Sequence, residues 1–297
     1  MGELQESPVF SVLMTNYNNA DYLHESIGSV LNQSVSSWEL LICDDGSTDS
    51  SVEVIRQYLR DPRIRLIRNE VNMGHIRSVN RLMQNVGADF VGILDSDDCL
   101  SSDAIELAME AHLAHPDTPF VYSRFTCCDE SLRPVEMGFS APLPPGKTSL
   151  QCDCVSHFRT WKRWAGESLG GFSEDAPNAE DKDFTLRIEE LGPLHCIDRS
   201  LYRYRVLPES QSHGRNKITA LVSFQRAKLR AWQRRQETTV PNLSYSEAVA
   251  VATYGLGLAL NRRLFRQMLF FLGWLLRHPR VGAWAWQQFM EGVRGKY

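Results

Sequence analysis

Apolar runs and polar loops alternate through the first hundred residues. Four runs are rich in apolar and β-branched residues, as is typical of buried strands: 8–14, 38–43, 63–68 and 90–94. Between them, apolar side chains recur near helical spacing, for example in residues 20–33. This repetition of strand, polar loop and helix predicts an α/β fold, in which a mostly parallel sheet carries helices on both faces.

Three of these strands run directly into polar loops. The loops are Thr15–Asn19, Asp44–Asp49 and Asp95–Asp98. In an open parallel sheet, ligands bind outside the carboxyl ends of the strands. We therefore expect the three loops to converge on one ligand site.

The third loop carries the clearest chemistry. Asp95, Asp97 and Asp98 place three carboxylates within four positions, directly after a strand suited to burial. Carboxylates this close repel each other unless a cation neutralises them. Mg²⁺ or Mn²⁺ takes one or two carboxylates and completes its shell with water and substrate phosphates, so this loop predicts a phosphate-bearing substrate. The alternative is an acidic turn on a solvated surface.

A second acidic segment comes later in the chain. Glu180 and Asp181 open a helical pattern whose first turn is acidic. Acids at that position complement the helix dipole. Alternatively, one of them is a carboxylate placed to act as a general base.

Charge divides the chain into two parts. Residues 1–214 hold 18 basic and 33 acidic side chains, whereas residues 215–297 hold 14 basic and 3 acidic ones. At 297 residues and 43% hydrophobic content, the chain can hold one large α/β domain and an appendage. We predict a catalytic domain over residues 1–214 and a basic, amphipathic α-helical region over residues 215–297.

The motifs, taken in order, resemble those of glycosyltransferase family 2, whose members are inverting nucleotide-sugar transferases with the GT-A fold. The resemblance covers roughly residues 8–212. The matching segments are Thr15–Leu23, Asp44–Asp49, Asn72-x-Gly74 with Asn80, Leu94–Asp98, Gly170–Phe172 and Glu180-Asp181-x-Asp183. The resemblance implies a Rossmann-like GT-A domain for the first part of the chain.

The resemblance also implies a donor site. Tyr17 and the backbone near Thr15 would flank the nucleobase, and Asp44 or Asp45 would hydrogen-bond its edge. Asp95 would reach the ribose or the metal shell. The full set of donor-binding residues implied is Thr15, Tyr17, Asn18, Asp44, Asp45, Asn72, Gly74, Asn80, Asp95, Ser96, Gly171 and Arg205.

A metal ion and a general base complete the implied mechanism. Asp97 and Asp98 would hold Mn²⁺ or Mg²⁺ across the two phosphates, and which of them bonds the ion directly stays open. Asp181, beside Glu180, would deprotonate the acceptor hydroxyl. The sugar would then transfer in one displacement, with inversion at the anomeric carbon.

Two positions depart from the family pattern. Leu207 stands where many relatives carry a histidine that reaches the metal or diphosphate. His213 could substitute as a ligand, or Arg205 could neutralise phosphate directly. Val79 stands where relatives often carry arginine, and Arg77 or Arg81 could serve instead.

The basic tail permits two interpretations. Residues 262–280 join arginines to a nine-residue apolar run, Met268–Leu276, which is far short of the roughly 20 residues that span a bilayer. The apolar side chains pack on the protein core, or they contact an anionic membrane surface. Nucleic acid is not expected as a partner, because no recognition motif accompanies the charge and the acidic first part opposes it.

We expect a cytoplasmic protein, with the inner face of the cytoplasmic membrane as a further expectation from the tail. Seven scattered cysteines suit reduced thiols, and the first residues lack the pattern of a secretory signal. The expected activity is metal-dependent, inverting sugar transfer from a nucleoside-diphosphate sugar, UDP-sugar favoured, to a glycan or lipid-linked acceptor.

Two other functions were weighed. A degenerate transferase would bind a nucleotide sugar or a partner without catalysis. A nucleotidyltransferase would use similar acids but would need a glycine-rich, basic loop after the first strand, and Thr15–Asn19 has neither glycine nor base.

Overall fold

The computed structural model describes residues 9–207, 216–262 and 264–278. The strands are β1 (Phe10–Asn16), β2 (Trp38–Asp44), β3 (Ile64–Arg68), β4 (Phe90–Ile93), β5 (Cys99–Leu100), β6 (Phe120–Cys128), β7 (Pro134–Met137), β8 (Thr160–Lys162) and β9 (Leu194–Arg205). The helices are α1 (Leu23–Leu31), α2 (Ser51–Arg56), α3 (His75–Met83), α4 (Ala104–Ala114), α5 (Arg163–Ser168), α6 (Glu180–Ile188), α7 (Asn216–Arg234), α8 (Tyr245–Asn261) and α9 (Phe265–Arg277).

The strands form one mixed sheet. Its order is β3-β2-β1-β4-β8-β6-β9-β5, and β7 pairs with β6. The pairs β1–β2, β2–β3, β1–β4 and β6–β9 are parallel. The pairs that β5, β7 and β8 make are antiparallel, so the predicted parallel sheet is present among β1–β4 and continues into a mixed part.

The alternating side chains of β1 explain why helices cover both faces of the sheet. Phe10, Val12 and Met14 point to one face, where they join a buried cluster with apolar residues of α1, α2 and α4. The residues between them point to the other face. Helix α3 contacts β1 and β2, and its buried residues Val79 and Leu82 do not belong to that cluster. Helix α3 therefore covers the second face.

The chain packs as two compact units that interleave along the sequence. The first contains residues up to Leu143, Cys154–Phe172 and Leu191–Leu207. The second contains Pro144–Asp153, Ser173–Glu190 and the described part of the chain after Pro208. The sequence boundary at residue 214 places residues 144–153 and 173–190 in the first part, whereas in the structure they belong to the second unit.

A buried carboxylate joins the three segments of the second unit. Glu189 accepts hydrogen bonds from the Ser149 backbone N–H at 2.8 Å and from the Ser149 hydroxyl at 2.7 Å. Arg235, only 2% exposed, donates to the same carboxylate at 3.0 Å and to the Leu186 carbonyl at 2.7 Å. Segments 144–153, 173–190 and the C-terminal helices are therefore linked by one ion pair and its hydrogen bonds.

The apolar core of the second unit comes largely from α7, α8 and α9. Trp232, Leu256, Phe271 and Trp274 are buried in one cluster, to which Leu186 of α6 also contributes. Helix α8 begins at a capping box, in which Ser244 and Glu247 bond each other's backbone N–H. None of the helices in the described ranges has the length and apolar character that a bilayer-spanning segment requires.

We predict that Arg235→Met will destabilise the second unit by about 3–5 kcal/mol, because it leaves the buried Glu189 carboxylate without its cation. Urea denaturation followed by far-UV circular dichroism measures this loss. The control is Arg234→Met, which removes a partly exposed partner of Glu190 and should cost at most about 1 kcal/mol. Equal losses in the two variants would contradict the role given to Glu189.

Candidate active site

The polar loops after β1, β2 and β4 meet at one edge of the sheet, as the sequence predicts. Asn16, at the end of β1, pairs in register with Asp44 at the end of β2. The Asn16 amide donates to the Asp44 carboxylate at 3.0 Å and to the Ser47 hydroxyl at 3.2 Å. The Asn19 amide donates to the Ser96 hydroxyl at 2.9 Å, which ties the first loop to the acidic loop.

Both acids of the second loop are engaged inside the protein. Asp44 is fully buried and accepts hydrogen bonds from the Asn16 amide and the Ser47 backbone N–H. Asp45, 4% exposed, accepts from the Met73 and Gly74 backbone N–H groups, both at 2.9 Å. Both carboxylates are therefore already hydrogen-bonded within the protein before any contact with a nucleobase.

Hydrogen bonds also set the charge state of Asp45. Burial alone would raise its pKa, but donors from Met73, Asn69, Ser78 and Gly74 together hold the pKa of Asp45 below its usual value. Asp45 therefore stays ionised at neutral pH and fixes the turn that precedes α3.

Tyr17 is the exposed aromatic side chain at this edge. It is 46% exposed, in contrast to the buried residues of β1 that precede it. The next residue, Asn18, has a φ of 54°, and its side-chain oxygen accepts the Thr48 backbone N–H at 2.8 Å. The turn is thus fixed while the Tyr17 ring remains accessible for stacking on a planar ligand.

A histidine that the sequence analysis missed contacts Thr15. The Thr15 hydroxyl lies 2.9 Å from Nδ1 of His75, the first residue of α3. Gly74 precedes the helix with a φ of 89°, and its N–H also bonds the Asn72 side chain at 3.0 Å. The sequence signal was available, because a residue that follows a glycine at a helix start lies at the carboxyl edge of the sheet.

Asn80 and Gly171 hold a turn together. The Asn80 amide donates to the Phe172 carbonyl at 2.8 Å, and its oxygen accepts the Phe172 N–H at 2.8 Å. A Cβ on Gly171, whose φ is 81°, would lie only 2.4 Å from that oxygen. Asn80, predicted to bind the donor, has its amide occupied by backbone, so its role here is to position the 170–172 turn.

Asp98 is buried among internal partners. It is 1% exposed, and one carboxylate oxygen accepts the Tyr202 hydroxyl at 2.7 Å. The other accepts the Arg205 backbone N–H at 2.6 Å. Burial, and then the charges of Asp97 and Asp95, raise the pKa of Asp98 well above its usual value.

Asp97 has a different environment. It is half-buried, and its backbone carbonyl accepts a hydrogen bond from Arg205 Nε at 2.7 Å. Burial and the nearby Asp95 charge raise the pKa of the Asp97 carboxyl to about 6. Asp95 is also half-buried, and the Tyr202 hydroxyl lies 3.3 Å from its carboxylate. The repulsion expected from the sequence is therefore present, and it acts on both Asp97 and Asp98.

Arg205, which the resemblance places at the donor phosphates, has its guanidinium bonded within the protein. The residue is 2% exposed. Its guanidinium donates to the Asp97 and Glu130 carbonyls and to the Glu25 carboxylate, and it lies 4.6 Å from the Tyr22 ring centre. Arg205 instead fixes the backbone of the acidic loop.

An aromatic stack borders the acidic loop, and sequence reasoning missed it. The His157 ring stacks on Tyr202 at 4.5 Å and lies 5.5 Å from Tyr204. Tyr202 and Tyr204 share a face of β9 because alternate residues of a strand point the same way. Their spacing was visible in the sequence, but the partner from residue 157 was not.

Arg81 and His213 are two of the residues predicted as alternatives at positions that depart from the family pattern. Arg81, weighed as a replacement for Val79, donates to the Arg68 carbonyl at 2.8 Å and to the Asn69 side chain. His213, weighed as a metal ligand, lies outside the described residues.

The predicted base lies in the second compact unit. Glu180 and Asp181 form the first turn of α6, where both are half-buried. Asp183, in the same turn, is 2% exposed and pairs with Arg187 at 2.7 Å. Asp181 is thus more accessible than Asp183, whose carboxylate is committed to an internal ion pair.

The carboxylates fit a metal ion only with help from a substrate. Across residues 9–207, 216–262 and 264–278, no three His, Cys, Asp or Glu side chains are grouped so as to hold a metal. Mg²⁺ and Mn²⁺ in phosphate sites bind one or two carboxylates and take other ligands from water and phosphate. The half-buried, mutually repelling Asp95 and Asp97 suit that arrangement.

Comparison with known sequences places the chain in a family. The family model described as "Glycosyl transferase family 2" matches residues 11–166. A chondroitin synthase from Escherichia coli is 30% identical over 224 residues, which cover 75% of this chain and 32% of that protein. This chain therefore spans about a third of the length of that relative.

Solved structures share the fold. S. aureus TarS 1–349 in complex with UDP-GlcNAc has a TM-score of 0.65 at 18% identity, over 85% of this chain and 73% of that one. The mannosyltransferase PcManGT from Pyrobaculum calidifontis, in complex with GDP-Man and Mn²⁺, has a TM-score of 0.60 at 16% identity, over 97% of this chain and 80% of that one. Since the sequence match covers just over half of the chain and the sheet is that of the GT-A fold, the chain belongs to glycosyl transferase family 2.

Proposed function

We propose that this protein transfers a sugar, with inversion, from a nucleoside-diphosphate sugar to a hydroxyl of a glycan or lipid-linked acceptor. The observation that carries the proposal is the edge formed by β1, β2 and β4, where the exposed Tyr17 ring and the half-buried Asp95 and Asp97 carboxylates follow neighbouring strands. An aromatic face and paired acids suit a base and a metal-bound diphosphate.

A UDP-sugar is the donor that we favour. The TarS structure that shares this fold is a complex with UDP-GlcNAc. Tyr17 would stack on the base, and Asp95 would reach the ribose. Thr15, Asn18, Asn72, Gly74 and Ser96 would shape the surrounding loops, which the hydrogen bonds of Asn18 and Asp45 already hold in place.

Asp97 is the residue that we assign to the metal. Both oxygens of Asp98 already accept internal hydrogen bonds, whereas Asp97 is half-buried and its pKa is raised to about 6. Either Mn²⁺ or Mg²⁺ fits a set of carboxylate oxygens, and the PcManGT complex contains Mn²⁺. Asp98 would then position the loop without bonding the ion.

The ion, when bound, would offset the charge that develops on the leaving diphosphate. The remaining chemistry belongs to the chain. Asp181 would accept the proton of the acceptor hydroxyl as its oxygen attacks the anomeric carbon and the bond to the β-phosphate breaks. Glu180 would add negative charge beside the base. Asp183 is not a candidate for the general base, because its carboxylate forms an ion pair with Arg187.

The acceptor class and the cellular location are also proposals. A glycan acceptor is supported by the relative named as a chondroitin synthase, of which this chain covers about a third. A cytoplasmic location remains the expectation drawn from the cysteines. Contact with a membrane is a separate proposal and is argued in the next subsection.

We predict that Asp97→Asn will abolish Mn²⁺-dependent binding of UDP and at the same time stabilise the metal-free protein. The wild-type carboxyl has its pKa raised from 3.8 to about 6 in the folded state, so its ionisation opposes folding at pH 7.5. At about 1.4 kcal/mol per pKa unit, the gain is at most about 3 kcal/mol at pH 7.5 and disappears near pH 4. Titration calorimetry and urea denaturation in EDTA measure the two effects.

The matched control for this experiment is Asp103→Asn. A hydrogen bond from Ser101 and the Arg199 guanidinium lower the pKa of Asp103, so its ionised form favours folding. That variant should lose stability slightly and bind UDP with Mn²⁺ as the wild type does. Unchanged metal-dependent binding in Asp97→Asn would overturn the metal assignment.

We predict that Asp181→Asn will lower the rate of UDP release from UDP-GlcNAc by about 10²–10⁴-fold, the usual contribution of a general base. Its affinity for UDP with Mn²⁺ should stay within about threefold of wild type, because the base does not hold the nucleotide. Coupled detection of UDP and calorimetry separate the two quantities. A wild-type protein that binds UDP but releases none from any UDP-sugar would instead support a degenerate, binding-only transferase.

A further inference from the structure

Helix α9 has two apolar faces, and only one of them is covered. Phe271 and Trp274 point inward and are 0% and 3% exposed. Phe265, Leu269 and Leu276 are 69%, 70% and 76% exposed. Leu276 and Leu269 are the two most exposed large hydrophobic side chains of the described residues, so packing among the described residues of the second unit does not account for them.

The exposed residues form one stripe. Residues 265, 269, 272 and 276 are separated by four, three and four positions, so they lie along one side of a helix. Leu272, the fourth member, is half-buried. We call Phe265, Leu269, Leu272 and Leu276 the outer stripe of α9. With 13 residues, α9 is about 20 Å long, too short to cross a bilayer but long enough to lie along its surface.

Arginines accompany the outer stripe. Arg262 precedes α9, Arg266 stands in its first turn and Arg277 ends it, and all three are exposed. On a helical projection Arg266 and Arg277 fall on the same flank, next to the stripe. Guanidinium groups beside an exposed apolar stripe are the arrangement of helices that bind anionic membrane surfaces.

The positive charge around α9 favours an anionic partner. From residue 248 to residue 290 the chain contains five arginines and no Asp or Glu. The basic side chains of α7 are used differently, since Arg226 lies over the Phe270 ring at 4.9 Å and Arg230 pairs with Asp175 at 3.4 Å. Arg266 and Arg277 of α9, in contrast, are exposed beside the outer stripe.

We propose that α9 docks on the surface of a bilayer rich in anionic lipids, with the outer stripe in the acyl boundary and Arg262, Arg266 and Arg277 among the headgroups. Net positive charge without acids complements an anionic surface, and the exposed leucines supply the apolar contact that a purely electrostatic association lacks. The proposal concerns a surface of the second unit and does not depend on the proposed transfer reaction.

The test is co-sedimentation of the full chain with vesicles. We expect binding to 1:1 phosphatidylglycerol–phosphatidylcholine vesicles at low salt and at least about tenfold weaker binding to pure phosphatidylcholine. We also expect binding to be lost in about 0.5 M salt, roughly three times physiological ionic strength. Leu269→Gln/Leu276→Gln should weaken binding to the anionic vesicles about tenfold or more. Each substitution removes the favourable free energy of moving a leucine side chain from water into the acyl boundary. Arg266→Gln/Arg277→Gln should remove the preference for anionic lipid.

The matched control is Leu113→Gln, which replaces a leucine that is 69% exposed on α4. It should bind vesicles as the wild type does. Circular dichroism and light scattering on all variants establish folding and mass. Unchanged vesicle binding by Leu269→Gln/Leu276→Gln would overturn the proposal. So would a wild-type dimer that this variant converts to monomer, since the stripe would then be covered by a second copy of the chain.

Discussion

The site depends on the burial of one carboxylate. The Asp98 carboxyl lies in a position that is 1% exposed, and hydrogen bonds from the Tyr202 hydroxyl and the Arg205 backbone N–H hold it there. Both partners come from the end of β9, more than a hundred residues later in the chain. The acidic loop is therefore fixed by the far end of the domain, and without that support three neighbouring carboxylates would separate into solvent.

The three neighbouring residues Asp95, Asp97 and Asp98 therefore have different environments. Asp98 is buried and held by donors, whereas Asp97 and Asp95 are half-buried, and repulsion among the three raises the pKa values of Asp97 and Asp98. The Arg205 charge relieves only part of it, since its effect on the pKa of Asp97 is smaller than that of burial and of Asp95, and its guanidinium bonds carbonyl oxygens and Glu25. A group that is costly to ionise in the free protein gains from a nearby cation, which supports the proposed phosphate-bound metal.

The two compact units show the same principle of linkage by buried charge. In the second unit Glu189 and Arg235 join segments that are distant in sequence, and the pair is satisfied by Ser149 and the Leu186 carbonyl. Surface charges do something else: the arginines of α9 accompany exposed leucines and define an outward surface. Buried charges thus stabilise the protein, whereas exposed charges are available to a partner.

Much of the fold was predictable from local pattern. The periods of apolar residues locate β1 to β4 and α1 within a few residues, because burial on one face fixes those periods. The convergence of three polar loops follows from parallel pairing alone. The short strands β5, β7 and β8 carry too few residues for any period to be recognised, so only pairing with distant strands defines them.

Residue roles at the site depended on contacts between distant segments. The sequence determined that Asp95, Asp97 and Asp98 stand at a strand end, but their spacing cannot tell which carboxylate is buried. The Tyr202 hydroxyl and the Arg205 backbone decide that, because they supply the hydrogen bonds to Asp98. Likewise, Asn80 was recognisable as a motif residue, yet only its two bonds to Phe172 show that it holds a turn. Local composition sets which groups are present; the tertiary structure decides which of them are satisfied internally, because hydrogen-bond partners are supplied by segments far apart in the chain.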